Sequence, residues 1–272
     1  MKKSQVILAG LLFGAQFVFG QSYWLSRGAE SSFSFEYLRP TFVAQPFASS
    51  SISGSVYIVS GRLALGERTG LLLELPYSIG EVSSTFGPSV SHSSLGNLYV
   101  GGEFFSENKQ FFTNVGIRLP FAQEEKFFAQ YVGFNSDYDR WEAFIPNVAS
   151  VSAIFNYKPQ LETGFYLRLL AGPSLWIKTK PGTIRDDTEF FLNYGSIVGY
   201  ESDVVNVGLG ITGKMLLTET GDLEQRNHYQ LGLVAGTMLG NVRPEIHLRL
   251  PLDKSLRNTI DRIVALQVTL EL

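Results

Sequence analysis

The chain has no cysteine among its 272 residues and only three histidines, His92, His228 and His247, which stand far apart. Disulfide scaffolds, thiolate catalysis and Cys-ligated metal centres are thereby excluded, no spaced histidine pair suggests a metal, and no cofactor is expected. Charge is scarce as well. Charged residues make up 17% of the chain and the formal net charge is −3, so the basic footprint that a nucleic-acid partner would need is missing. A disordered chain would be rich in charge and poor in aromatics, whereas this one is 44% hydrophobic and 13% aromatic. It must fold.

Long apolar runs are missing everywhere but at the amino terminus. Residues 1–20, MKKSQVILAGLLFGAQFVFG, carry two lysines, an apolar run from Val6 to Phe19 broken by Gln16, and a small residue at Gly20. This is the pattern of a secretory signal peptide, and the run falls short of the roughly 20 apolar residues that cross a bilayer. The division expected is a leader over 1–20 and one exported domain over 21–272, in a Gram-negative bacterium. With no later apolar stretch, that domain can enter a membrane only with strands.

Strands are what the rest of the chain offers. In TGLLLELPYSIG, Leu71, Leu73, Leu75, Tyr77 and Ile79 share one face and Leu72, Glu74, Pro76 and Ser78 the other. The same period of two runs through QFFTNVGIRLPF, NVRPEIHLRLPL and IVALQVTLEL, the signature of strands with one apolar face. Twelve segments qualify, near 31–40, 52–65, 70–80, 95–106, 110–121, 148–157, 161–177, 188–200, 204–218, 227–239, 241–252 and 260–272. Tight connectors alternate with long ones, as in outer-membrane barrels with short periplasmic turns and long extracellular loops. The fold class expected is all-β, a transmembrane antiparallel up-and-down barrel of about 12 strands (range 10–14) in the bacterial outer membrane. A soluble barrel is disfavoured: twelve strands enclose a cylinder roughly 24 Å across, leaving about 12 Å between opposing side chains, a gap that inward apolar residues do not close. Glycines at 164, 195, 199, 208, 210, 232 and 236 on the polar face would also make weak core. The lipid face should then include Leu73, Leu75, Ile117, Leu119, Leu248 and Leu266, with Tyr77, Phe105, Phe111, Phe121, Tyr157 and Tyr200 forming interfacial girdles near strand ends.

On the inner face lie the candidate lumen residues Glu36, Glu74, Glu103, Arg118, Arg168, Lys214, Arg243, Glu245, His247 and Arg249, with Glu162 near one end. Their signs balance, so pairing across the lumen is favoured over a constriction that selects by charge. Closure of the barrel sets Arg249 and Arg243 within reach of Glu36, and Glu74 is expected to draw Arg168 or a second arginine. The connector from Ala122 to Asn147 is too long for a plain turn and is rich in aromatics, with Phe127, Phe128, Tyr131 and Trp141 as candidates for narrowing the mouth. Packing over the rim is the equal alternative. Catalysis is not expected: His92 lies in a loop, His247 pairs naturally with Glu245, and His228 has only Asp222 or Glu224 within reach, without a placed nucleophile. The partners expected are outer-membrane lipid, a small-molecule solute and the barrel-assembly machinery. The alternatives to a conduit are a lipid-acting enzyme and a structural or assembly barrel.

At LGNLYVGGEFF, and again at GIRLPF followed by a long connector and SAIFNYKPQ, the chain resembles the outer-membrane barrels of the phenol meta-pathway degradation family of transporters. The resemblance rests on the Gly-rich step from Gly96 to Gly102 and on Arg118, Leu119 and Pro120 closing the next strand. It implies passage of small apolar or aromatic compounds across the outer membrane. The sequence departs from the pattern at Asn97, where the step usually has an acid, and at Leu272, where the last residue is usually aromatic.

Overall fold

A computed structural model describes Trp24 and residues 30–43, 50–84, 87–159, 164–180 and 188–272. The leader expected over 1–20 and Glu162 lie outside these residues. Thirteen strands follow one another: β1 (Ser32–Phe42), β2 (Ser50–Ala64), β3 (Thr69–Ser84), β4 (Gly87–Leu95), β5 (Leu98–Phe105), β6 (Phe111–Leu119), β7 (Val148–Tyr157), β8 (Phe165–Lys178), β9 (Glu189–Glu201), β10 (Val205–Leu216), β11 (Asn227–Thr237), β12 (Val242–Pro251) and β13 (Ile260–Glu271). Each pairs antiparallel with the next except β4 and β5, which both pair with β3, and β13 pairs with β1 from Glu271↔Ser32 onward, which closes the wall.

β4 and β5 share one place in that wall. β5 pairs with β3 over Thr69–Glu74 and β4 over Tyr77–Ser84, with the step at Gly96 and Asn97 between them. The result is a barrel of twelve positions. The stretch around Gly87–Leu95 was expected as loop. It is a strand although it has no apolar alternation, because nearly all its side chains are exposed and so neither face needed an apolar set; the long β2–β3 hairpin simply offers it an edge to pair with.

The alternation of the sequence becomes the two faces of the wall. Leu73, Val100, Ile117, Val151 and Leu175 stand opposite one another on successive strands and point outward. One residue along, Glu74, Tyr99, Arg118, Ser150 and Trp176 form the matching inward row, all buried. The outer surface is ringed with exposed Val, Leu, Ile and Phe, an apolar area far beyond what a protein leaves in water.

Aromatics border this band at both ends. At the short-turn end Phe111 stacks on Tyr157 with ring centroids 4.6 Å apart and Phe165 meets Tyr200 at 5.2 Å. At the other end Tyr37, Tyr57 and Tyr77 lie side by side on β1, β2 and β3, 5.4 and 6.3 Å apart. On β3 the two belts are separated by Thr69–Tyr77, roughly 26 Å of strand at about 3.3 Å per residue, close to the apolar band of an outer-membrane barrel. Phe105 does not join the girdle. It turns inward beneath the Arg62 guanidinium, and Phe104 faces out in its place.

The lumen is not simply polar. The connector between β6 and β7 enters it as helix α1 (Phe127–Ser136) and a 3-10 turn (Tyr138–Ala143). Val132, Tyr138, Trp141 and Phe144 pack there against wall residues Leu38, Ile58, Trp176, Phe191, Leu216 and Ile263 in one apolar cluster. Inward apolar side chains cannot meet across a twelve-strand barrel by themselves, but an inserted segment closes the gap for them. Glycine makes the insertion possible: Gly54 and Gly80 are cross-strand partners on β2 and β3, and a Cβ on Gly80 would overlap the backbone of α1 at Phe128. Other lumen glycines seat rings rather than water. Tyr99 lies over Gly101 and Gly116, and Trp24 over Gly232, within a second small cluster of Trp24, Ile154, Tyr166, Leu170 and Ile197.

Candidate functional site: a charged plug at mid-lumen

Four polar residues of the connector, Asp137, Asp139, Arg140 and Glu142, reach wall residues on β1, β3, β6, β10, β11 and β12. Arg140 donates through Nη2 to Glu36 Oε2 on β1 at 2.6 Å, through Nη1 to Glu74 Oε2 on β3 at 2.9 Å, and through Nε to its neighbour Asp137 at 2.6 Å. The second oxygens of the two wall carboxylates are also held, Glu36 Oε1 by Arg249 on β12 and Glu74 Oε1 by Arg118 on β6, each at 2.8 Å. Arg249 further reaches Asp137 at 3.2 Å. Across the barrel, Lys214 on β10 binds Glu142 Oε2 at 2.6 Å, with Arg118 Nε 4.0 Å from Oε1. Asp139 accepts from Gln230 on β11 at 3.0 Å and from the indole of Trp24 at 2.9 Å. All these side chains are buried. A buried charge is tolerated only with partners, and here each acid has a base or an N–H donor.

Asn97 holds the plug at its roots. Its Nδ2 donates to the carbonyls of Glu142 and Ile145 at 2.7 Å, with that of Val148 beside them at 3.3 Å, while Oδ1 accepts from Ala122 N–H at 2.8 Å. Its own N–H goes to Ala143 O at 2.6 Å and its carbonyl accepts from Arg118 at 3.0 Å. The departing and returning ends of the connector are thus tied to one residue in the wall. Gly96 beside it leaves room for the Ala143 carbonyl.

The remaining sequence candidates lie as follows. Glu103 pairs with Arg62 on β2 at 2.5 Å. Arg168 does not meet Glu74: its Nε and Nη2 donate to Asn156 at 3.1 and 2.8 Å, and it lies over the Phe112 ring. Both residues face inward, but Arg168 stands nearer the short-turn end. Arg243 does not meet Glu36 either, since it sits at the rim on Glu271 at 2.6 Å and near Glu201 at 3.9 Å. Glu245 accepts from Asn206 at 2.9 Å and lies 3.9 Å from His247. Of the aromatic candidates, Trp141 is inside the plug, Phe127 is exposed, and Phe128 and Tyr131 are half-buried against His92 and Phe42. The sequence reading passed over Arg62, Asn97 as a tie, Asp137, Asp139, Arg140, Glu142 and Trp24. The only signal for the connector group was a run of charges, D-Y-D-R-W-E, inside an aromatic segment.

His228 meets neither Asp222 nor Glu224. Its Nδ1 lies 3.4 Å from Asp253 Oδ1 and 3.2 Å from Ser255 Oγ, and Ser255 donates to the same Asp253 oxygen at 2.6 Å. A nucleophile relay needs serine and carboxylate on opposite imidazole nitrogens; here both crowd one. Asp253 instead caps a single helical turn, Lys254–Arg257, by accepting from Leu256 N–H. Burial would raise its carboxyl, but the hydrogen bonds from His228, Ser255 and Leu256 hold it below its ordinary value.

No family model matches the sequence, and no curated protein matches it. Among solved structures, the chain is similar to an outer membrane channel from Pseudomonas putida F1, with 11% identity, 93% of this chain and 99% of that one covered, and a TM-score of 0.63. It is similar also to the translocator domain of autotransporter NalP from Neisseria meningitidis (10% identity, 99% and 95% covered, TM-score 0.58) and to the β domain of the Bordetella autotransporter BrkA (8%, 89% and 99%, 0.53). Likeness at such identity establishes the fold: the chain is a closed twelve-position antiparallel barrel of the kind found in outer-membrane proteins.

Proposed function

We propose that the protein is a bacterial outer-membrane conduit for a small solute with an apolar or aromatic body, held shut by its own connector. The observation that carries this is the belt of Glu36, Glu74, Arg118, Lys214 and Arg249 on the wall, closed by Arg140 and Glu142 from the plug. A lumen meant to stay filled would be served as well by apolar residues, because buried ion pairs add little net stability for their desolvation cost. A wall that also meets water needs polar residues at mid-depth. The resemblance to transporters of the phenol meta-pathway degradation family, and the fold of the Pseudomonas putida channel, support the same reading. The outward apolar band suits outer-membrane lipid, and Val268, Leu270 and Leu272 near the end of β13 give the barrel-assembly machinery an apolar pattern to bind.

The test is conductance across planar bilayers. Arg140→Ala leaves Arg249 and Arg118 on the wall carboxylates but removes the centre of the plug's attachment, so channel openings should become at least about tenfold more frequent, the equivalent of roughly 1.4 kcal/mol in the closed state. Heat-modifiable gel migration shows that the barrel itself is intact. Should this variant, and one whose residues 126–143 are replaced by a short Gly-Ser linker, conduct no better than the parent, the barrel is a structural element and not a conduit.

A further inference from the structure

The plug carries more acid than base. Asp137, Asp139 and Glu142 stand against Arg140 alone. The wall around it has the opposite balance, Arg118, Lys214 and Arg249 against Glu36 and Glu74. Taking the plug away leaves Glu36 with Arg249 and Glu74 with Arg118, so the wall cation left over is Lys214. Its ammonium now binds the Glu142 carboxylate at 2.6 Å and stands 5.1 Å from the Trp176 ring centroid and 5.9 Å from that of Phe191. Those two rings lie 4.2 Å apart, and Trp141, the residue beside Glu142, packs in the same apolar cluster. The plug therefore presents a carboxylate to a wall cation flanked by two aromatic rings.

We infer that this wall site binds a small aromatic monocarboxylate, its carboxylate on Lys214 and the edge of Arg118, its ring against Trp176 and Phe191. Glu142 is the internal stand-in for the solute's carboxylate, and the solute releases the plug by taking Lys214 from it. A cationic solute has no such opening, because the two wall carboxylates keep their own arginines. The inference rests on the conduit reading for its consequence but not for the site itself.

The probes are benzoate, benzylamine as the cation of similar shape, and acetate as the carboxylate without a ring. Binding is read by tryptophan fluorescence of the detergent-folded full chain, and opening by bilayer conductance. Benzoate should half-saturate at a concentration about tenfold or more below either other probe, one charge pair or one buried ring being worth that factor. Glu142→Gln, which weakens the internal competitor, should bind benzoate more tightly. Lys214→Gln should lose the preference and Lys214→Arg keep it, which separates loss of the cation from loss of the fold. Equal binding of benzylamine, an unchanged benzoate affinity in Lys214→Gln, or no benzoate response in both the parent and Glu142→Gln overturns the inference. Benzoate binding with the expected selectivity, while neither benzoate in the parent nor Arg140→Ala nor the linker variant raises conductance, retains the site and overturns the conduit.

Discussion

Asn97 shows how much one side chain can decide. A single primary amide donates to the carbonyls of Glu142 and Ile145, has that of Val148 close by and accepts one N–H, so that it ties the two ends of the connector and the start of β7 together. The family pattern that the surrounding step resembles has an acid at this position, yet here a carboxylate would face three carbonyl oxygens with nothing to donate. Only an amide satisfies both kinds of partner. Asn97→Ala should destabilise the inserted connector by about 2–4 kcal/mol, because buried carbonyls and an N–H lose their partner together. Asn97→Asp should do no better, despite its nearly identical shape. Limited proteolysis between Ala122 and Asn147 measures this: cleavage should rise in both variants while the wall strands stay protected. Equal protection in parent and variants would mean that the ion pairs alone hold the plug.

Among the elements, the strands obey their alternation and the connector does not. Leu73, Val100, Ile117, Val151 and Leu175 run across five neighbouring strands on the outer face, each flanked by inward-facing residues. Leu73→Arg places a cation near the middle of the apolar band and should cost about 2–4 kcal/mol of folding stability in bilayers. The same substitution at Glu67, in the turn before β3, should cost nothing measurable. Denaturant refolding into lipid vesicles compares the two, and equal stabilities would place the apolar face away from lipid. β4 makes the opposite point. Its side chains are almost all exposed, so no burial recorded the strand in its sequence; pairing with the extended β3 alone created it. The plug helix is similar. Nothing in its residues says where it goes, whereas the Gly54 and Gly80 pair that receives it lies far away in sequence.

For the molecule as a whole, both ends of the described wall, Ser32 and Glu271, pair at the short-turn end. The connector enters from the opposite mouth. With the short turns in the periplasm, the absence of cysteine allows a clean test by single-cysteine variants. A membrane-impermeant maleimide should label Gly87→Cys and Gly221→Cys on intact cells, and Glu67→Cys and Asn108→Cys only after the outer membrane is opened. Labelling of the second pair alone on intact cells would invert the barrel.

The wall was legible in the residues alone: twelve positions, the faces of most strands, and which end has the short turns, with Phe105 the exception that turns inward. Alternation records the contrast between two environments at each step of a strand, and lipid is a contrast strong enough to write itself into the strands of the wall that face it, though not into β4. It does not record what stands on the inner side. Glu36 and Glu74 look the same in the sequence whether they face water, each other or an inserted arginine. That Arg140 meets them, 104 and 66 residues away along the chain, and that Glu142 meets Lys214 at a separation of 72, follows from the folded arrangement alone. The pairing of Glu36 with Arg249 was legible because barrel closure fixes which strands are neighbours. The plug was not, because a connector carries no periodic pattern, and its path is set by the sum of many contacts that exist only once the barrel has closed around it.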